Sequence, residues 1–215
     1  MEFDYAKDNL EKQPYDHYIK AFAESDPLEI ANRCQIEFNE ETREFKLRLM
    51  GKEYYISHPD FKIRKVDESD NSYHVMFEFY KAEILALRFM LEGKKIESTG
   101  EFVTFRDTPE GNMYFKSFQG RCLFRLKYGF GFKLDKFKAA MEKMGATPMK
   151  MGDVAYKFEI LDDFNVFILW EGDDEFEPSS QILFSDNFPV AFKSEDLVVS
   201  GDISITNLKG VASQL

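Results

Sequence analysis

A chain of 215 residues, 44% of them hydrophobic and with a net charge of −11, is long enough to close a sizeable core yet holds no run of about 18 apolar residues that would span a bilayer. Its acidity excludes a general affinity for nucleic acid or anionic membrane, because phosphate-rich surfaces repel it wherever no basic face compensates. Cys34 and Cys122, with no CxxC, provide neither a disulfide framework nor an all-cysteine metal site, and His17, His58 and His74 lack HExxH or HxxxH spacing, so any protein-bound metal depends on carboxylates.

The N-terminal MEFDYAKDNLEKQ carries acids where a signal peptide needs a basic and then apolar start, and the expected location is the cytoplasm. Tyr15, Tyr18, Ile19 and Phe22 recur at helical spacing after Pro14, and Asp26, Pro27 and Glu29 read as the cap, first-turn proline and box partner of a second helix. From Ile36 to Arg64 the pattern becomes alternation, with Phe45, Leu47 and Leu49 opposed to Lys46 and Arg48, and Gly51-Lys52 as the turn before Tyr54 and Ile56. This predicts an antiparallel meander near 36–64. Apolar residues on most faces between Ser72 and Gly93 predict a central helix. A short strand, a turn and a brief helix fit Thr99 to Phe118, and Phe137, Ala140, Met141 and Met144 form a helix closed by Gly145.

Further strands are expected near 154–186. Val154, Tyr156, Phe158 and Ile160 alternate, Asp162 and Asp163 turn, Val166 to Trp170 is continuous enough for burial on both faces, and Gln181 to Phe184 is its neighbour. Ser194 caps a final helix carrying Leu197, Val198, Ile205 and Leu208, weakened by Gly201. Helices and hairpins are grouped, so the fold class is α+β: antiparallel sheet segments packed with several helices. No linker interrupts the chain, which predicts one domain over 1–215, with parts 1–95 and 96–215 as the alternative division.

The densest chemistry lies at 164–195, FNVFILWEGDDEFEPSSQILFSDNFPVAFKSE. An apolar run ends at the only tryptophan, Trp170, followed by Glu171, Asp173, Asp174, Glu175 and Glu177. That order fits a buried strand delivering acids to a loop at a sheet edge, suited to a cation, a basic partner or water. Asp173, Asp174 and Glu175, joined by Asp186 or Glu195, form a candidate acidic site offering oxygen ligands to magnesium, calcium or manganese, or an acid–base pair. The bland alternative has Asp173 and Asp174 capping a turn and Glu171 and Glu177 solvated, since the spacing is not that of an EF-hand loop.

Lys116, Arg121, Arg125, Lys127, Lys133, Lys136 and Lys138 stand against Asp135 alone, a local charge of +6, whereas Glu159 to Glu177 holds eight acids and no Lys or Arg. The two segments either face each other or present separate patches, and Trp170 with Arg121, Arg125 and Lys127 marks the candidate patch. The plainer expectation makes the basic side chains the solvated face of helices whose aromatic face, between Tyr114 and Phe132, is buried. Cys122 fits a packed thiol beside Leu123 and Phe124, and Gly129-Phe130-Gly131 fits a turn.

TGEFVTF at Thr99 to Phe105, the following Gly111 and Tyr114, GDVAYKF at Gly152 to Phe158, and LWEGDDEFEPSSQILFSDN with SEDL near the end resemble a domain-of-unknown-function family of anaerobic bacteria and archaea. Some members of that family are joined to an iron–sulfur domain. The resemblance covers nearly the whole chain and implies an anaerobic, redox- or corrinoid-linked context without an established activity. This chain lacks a cysteine-rich extension, and its two cysteines cannot ligate an ordinary cluster alone, so an iron–sulfur role needs a redox or iron–sulfur protein partner. The expectation is an accessory factor that binds a protein or small ligand in anaerobic redox or metal metabolism. The alternative is a divalent-metal-dependent enzyme centred on the loop after Trp170.

Overall fold

The computed structural model describes residues 13–161 and 163–215; the acidic first twelve residues, and Asp162 of the expected Asp162-Asp163 turn, lie outside them. The fold is α+β, with two antiparallel sheets. Among the described residues no helix is long and apolar enough to cross a membrane.

Strands β1 (Glu37–Asn39), β2 (Glu44–Leu49), β3 (Lys52–Ser57) and β4 (Ile63–Lys65) pair in chain order. Alternation buries Phe45, Leu47 and Leu49 on one face of β2, with Tyr54 and Ile56 beside them on β3. Leu49 pairs with Lys52, so the turn is Met50-Gly51, one residue earlier than expected. Both turn residues have positive φ, 50° and 75°, the backbone of the primed turns whose twist matches that of the flanking strands. His58 and His74 are buried fold residues. His58 lies 2.9 Å from an Arg43 nitrogen and 3.0 Å from the Phe22 carbonyl, and His74 pairs with the Tyr54 hydroxyl at 3.0 Å.

The second sheet has the order β5 (Phe102–Thr104), β9 (Ser179–Ser185), β8 (Asp163–Trp170), β7 (Val154–Ile160), β6 (Thr147–Met149). Phe167, Ile168 and Leu169 are all buried, as a strand covered on both faces requires. Trp170 pairs with Ser179, so the acidic segment 171–178 is the loop of the β8–β9 hairpin. Asp163 begins β8 opposite Ile160.

Helix α1 (Gln13–Glu24) precedes α2 (Pro27–Cys34), where Asp26 accepts the Leu28 N–H at 2.9 Å. The helix expected over 72–93 is two pieces, α3 (Val75–Glu78) and α4 (Tyr80–Glu92), because Phe79 takes an extended backbone between them. Helices α5 (Gly111–Phe118) and α6 (Phe124–Phe130) are joined without a break by a π turn, Gln119–Leu123. Gly129-Phe130-Gly131 is therefore the end of a helix rather than a separate turn. Helix α7 (Leu134–Lys143) and the short α8 (Phe188–Ala191) follow.

The most enclosed element is the last, α9 (Ser194–Ser213), buried on every face from Leu197 to Leu208 apart from Val199 and Thr206, which are partly buried. Ser194 is its first residue and not its cap: Lys193 holds that place, and its N–H donates to Asp196 at 3.3 Å. Its small buried hydroxyls are satisfied within the helix, Ser200 donating to the Leu197 carbonyl and Ser204 to the Ser200 carbonyl. Residues from Phe22 to Ala212 contribute to one buried apolar cluster.

Candidate functional site

The loop 171–178 is held by its own backbone and by the end of α6. Asp173 turns its carboxylate inward, accepting the N–H groups of Glu175 at 2.8 Å and Phe176 at 2.7 Å, and Asp153 accepts the Glu171 N–H at 2.7 Å. Gly172 N–H donates to the Gly131 carbonyl at 3.0 Å. Gly131 lies so close to Pro178 that a Cβ there would stand 2.2 Å from the proline Cβ. Glu177 accepts from Lys127 Nζ at 3.1 Å and from the Tyr128 hydroxyl at 3.2 Å, and Lys127 holds its carboxyl below the ordinary range. The acidic and basic segments thus meet, at Lys127, and the loop's other acids, Glu171, Asp174 and Glu175, stand exposed.

The sequence-predicted acids divide among separate partners. Asp186 accepts from the hydroxyls of Ser98 and Thr99 and from the Thr99 N–H. Glu195, on the first turn of α9, lies 3.8 Å from Arg88. Neither joins Asp173, Asp174 and Glu175, and among the described residues no group of three or more His, Cys, Asp or Glu could hold a metal ion.

Large aromatics surround the loop on its outer side. Phe176 is 68% exposed, Tyr128 57%, Phe132 55%, Phe124 42% and Trp170 39%. Phe132 lies against Gly172, and Trp170 against Gly152. The rings of Phe124 and Tyr128 are 6.1 Å apart, and Lys127 Nζ stands 4.3 Å over the Tyr128 ring. The expected burial of aromatics in this stretch holds for Phe118 and Phe130 and fails for Tyr114, Phe124, Tyr128 and Phe132.

Arg121 and Arg125 do not face the acidic loop. Both reach Asp202 of α9, Arg121 Nη2 at 2.9 Å and Arg125 through one carboxylate oxygen, while Lys81 Nζ approaches the same residue at 3.3 Å. Arg125 also donates to the Thr206 hydroxyl at 3.1 Å. Between them Cys122 is buried and donates to the Val198 carbonyl at 3.4 Å; burial pushes its thiol up, the behaviour of a packed thiol. Asp202 has no signal in the sequence, since its partners lie 77 to 121 residues away.

A model of a domain of unknown function, DUF3786, matches residues 26–207. The chain belongs to the DUF3786 family. No curated protein and no solved structure matches it. The matched span of this DUF3786 chain runs from the cap of α2 into α9, and so takes in the hairpin loop, α6 and Asp202 while leaving out α1.

A cleft elsewhere in the molecule was also missed from sequence. A cleft of about 380 Å³ is lined by Arg88, Glu92, Pro109, Lys193, Ser194 and Asp196 among others. Burial raises the Asp196 carboxyl to about 6, an effect that Arg88, 2.7 Å away, offsets only in part. Glu195, singled out in the sequence, is the exposed neighbour of this buried acid.

Proposed function

We propose that this DUF3786 protein is an accessory factor that docks a partner protein through the face formed by the β8–β9 loop and α6. The observation that carries it is the concentration of exposed Trp170, Phe176, Phe132, Tyr128 and Phe124 on adjoining segments, edged by Glu171, Asp174 and Glu175. Aromatic anchors within a charged rim are the composition of protein interfaces, and the sign of the rim selects a partner with basic residues around an apolar centre. Following the sequence resemblance, the partner class is a redox or iron–sulfur protein of anaerobic metabolism, which would bring its own cluster. The divalent-metal enzyme has less support, because Asp173 spends one carboxylate oxygen on two backbone N–H groups of its own loop and Asp186 and Glu195 are engaged elsewhere.

The test is site-specific photocrosslinking without oxygen, with a photoreactive group replacing Phe176 and, as control, the exposed Lys62 just before β4. A partner captured only from position 176 is then purified. Trp170→Ala with Phe176→Ala should weaken its binding about tenfold or more, and added salt should weaken it further. Equal capture from both positions, or an affinity indifferent to the double substitution, would overturn the proposal.

A further inference from the structure

We infer that the cation cluster on Asp202 is a binding site for a small phosphate-class oxyanion, independent of the docking face. Lys81, Arg121 and Arg125 converge on one carboxylate whose side chain is 8% exposed. Lys209, a fourth cation, lies along Gly129 of α6, its Nζ 3.6 Å from where a Cβ there would stand, and burial, with the charge of Arg125, lowers its ammonium. One guanidinium fork is enough to match a carboxylate, and every further cation at this spacing repels the others. Other acids of the surrounding helices pair elsewhere: Glu83 with Tyr15, Glu92 with Lys193, Glu195 and Asp196 with Arg88, Asp135 with Lys138 and Glu142 with Tyr156. In a chain of net charge −11 the cluster is thus a local positive field with one internal anion.

Its construction is specific. Helix α5, the π turn and α6 contain no acid from Gly111 to Phe130, and the π turn itself presents Arg121; such turns inside helices are frequent at functional sites. Gly201 brings α9 against that turn, since a Cβ there would stand 2.9 Å from Cys122 Sγ. The row Arg121, Arg125 then lies along the row Asp202, Thr206, Lys209. Asp202 acts as a positioning residue: it fixes the two forks, while about a third of each of Lys81, Arg121 and Arg125 stays open to solvent, 32%, 37% and 32%. Two guanidinium groups with two flanking ammonium groups match the several oxygens of a phosphate or pyrophosphate group, which planar forks engage in pairs.

Calorimetric titration of the full chain with inorganic pyrophosphate at low salt tests this. Saturable binding is expected, weakening with added salt, and about tenfold weaker in Arg121→Ala and in Lys209→Ala, since each removes a charge-assisted contact. Lys62→Ala, just before β4, should bind as the unaltered protein does. Circular dichroism confirms that each variant is folded before titration. No saturation at millimolar pyrophosphate, or an equal loss in Lys62→Ala and Arg121→Ala, would sink the proposal.

Discussion

Asp196 and Asp202 occupy the same helix and solve the burial of a carboxylate in opposite ways. Asp202 gathers cations; Asp196 has Arg88 alone, and its carboxyl rises to about 6. An acid raised on folding binds more protons in the native than in the unfolded state between its two pKa values. Its contribution to stability therefore falls as pH rises from about 4 to about 6, by up to about 3 kcal/mol, and is level above that. Asp196→Asn keeps an oxygen for the Lys193 N–H and removes the titration. In urea unfolding at a series of pH values, the variant should gain on the parent across that window and run parallel to it above. Glu83, also raised by burial, adds the same slope to both. A constant difference between the two proteins from pH 4 to 7 would show that Asp196 does not titrate there.

At the scale of elements, the docking face depends on how α6 ends. Gly131→Ala forces a Cβ into Pro178 and should cost about 1–3 kcal/mol as an overpacked contact, displacing the loop and weakening partner binding. Gly120→Ala is the matched control: nothing lies within 4 Å of its added carbon, so a stability gain of up to about 1 kcal/mol is expected from helix propensity. Urea midpoints of the two variants decide it, and equal shifts in one direction would refute the account of the contact.

The hairpins were legible because Phe45, Leu47 and Leu49, or Val154, Tyr156 and Phe158, alternate at the strand period whatever surrounds them. The acidic loop was legible for the same reason, as the end of an apolar run. The direction of Arg121 and Arg125 was not, because the π turn shifts the helical phase: the most deeply buried residues, Phe118, Cys122, Leu126 and Phe130, recur every fourth position, a spacing that would drift around a straight α-helix of 3.6 residues per turn. The centrality of α9 was hidden by Ser200, Asp202, Ser204 and Asn207, which look like a solvated stripe, although Ser200 and Ser204 are satisfied by carbonyls of their own helix and Asp202 by cations of distant segments. The Asp202 partners are set by tertiary contact and have no local pattern.

For the whole molecule, the expected unity of 1–215 has a direct test. The buried cluster draws on both halves of the chain, and Arg48 of the first sheet reaches Glu159 of the second. Trp170 sits on the second sheet alone, so its fluorescence reports that sheet while far-ultraviolet circular dichroism reports all elements. The two signals should follow one urea transition with a common midpoint, as cooperative single domains do. Separate midpoints would instead support the division near residue 95.

The place of α9 in chain order also governs how the protein comes into being. Synthesis runs from the N-terminus, and α3, α4, α5, the π turn and α7 all pack on a helix that is made after them. On the ribosome these faces, and the cations waiting for Asp202, have no counterpart until the segment ending at Ser213 has left the exit tunnel. A nascent chain that exposes those faces in that interval is open to misassociation, and the fold closes once that segment is available rather than stepwise.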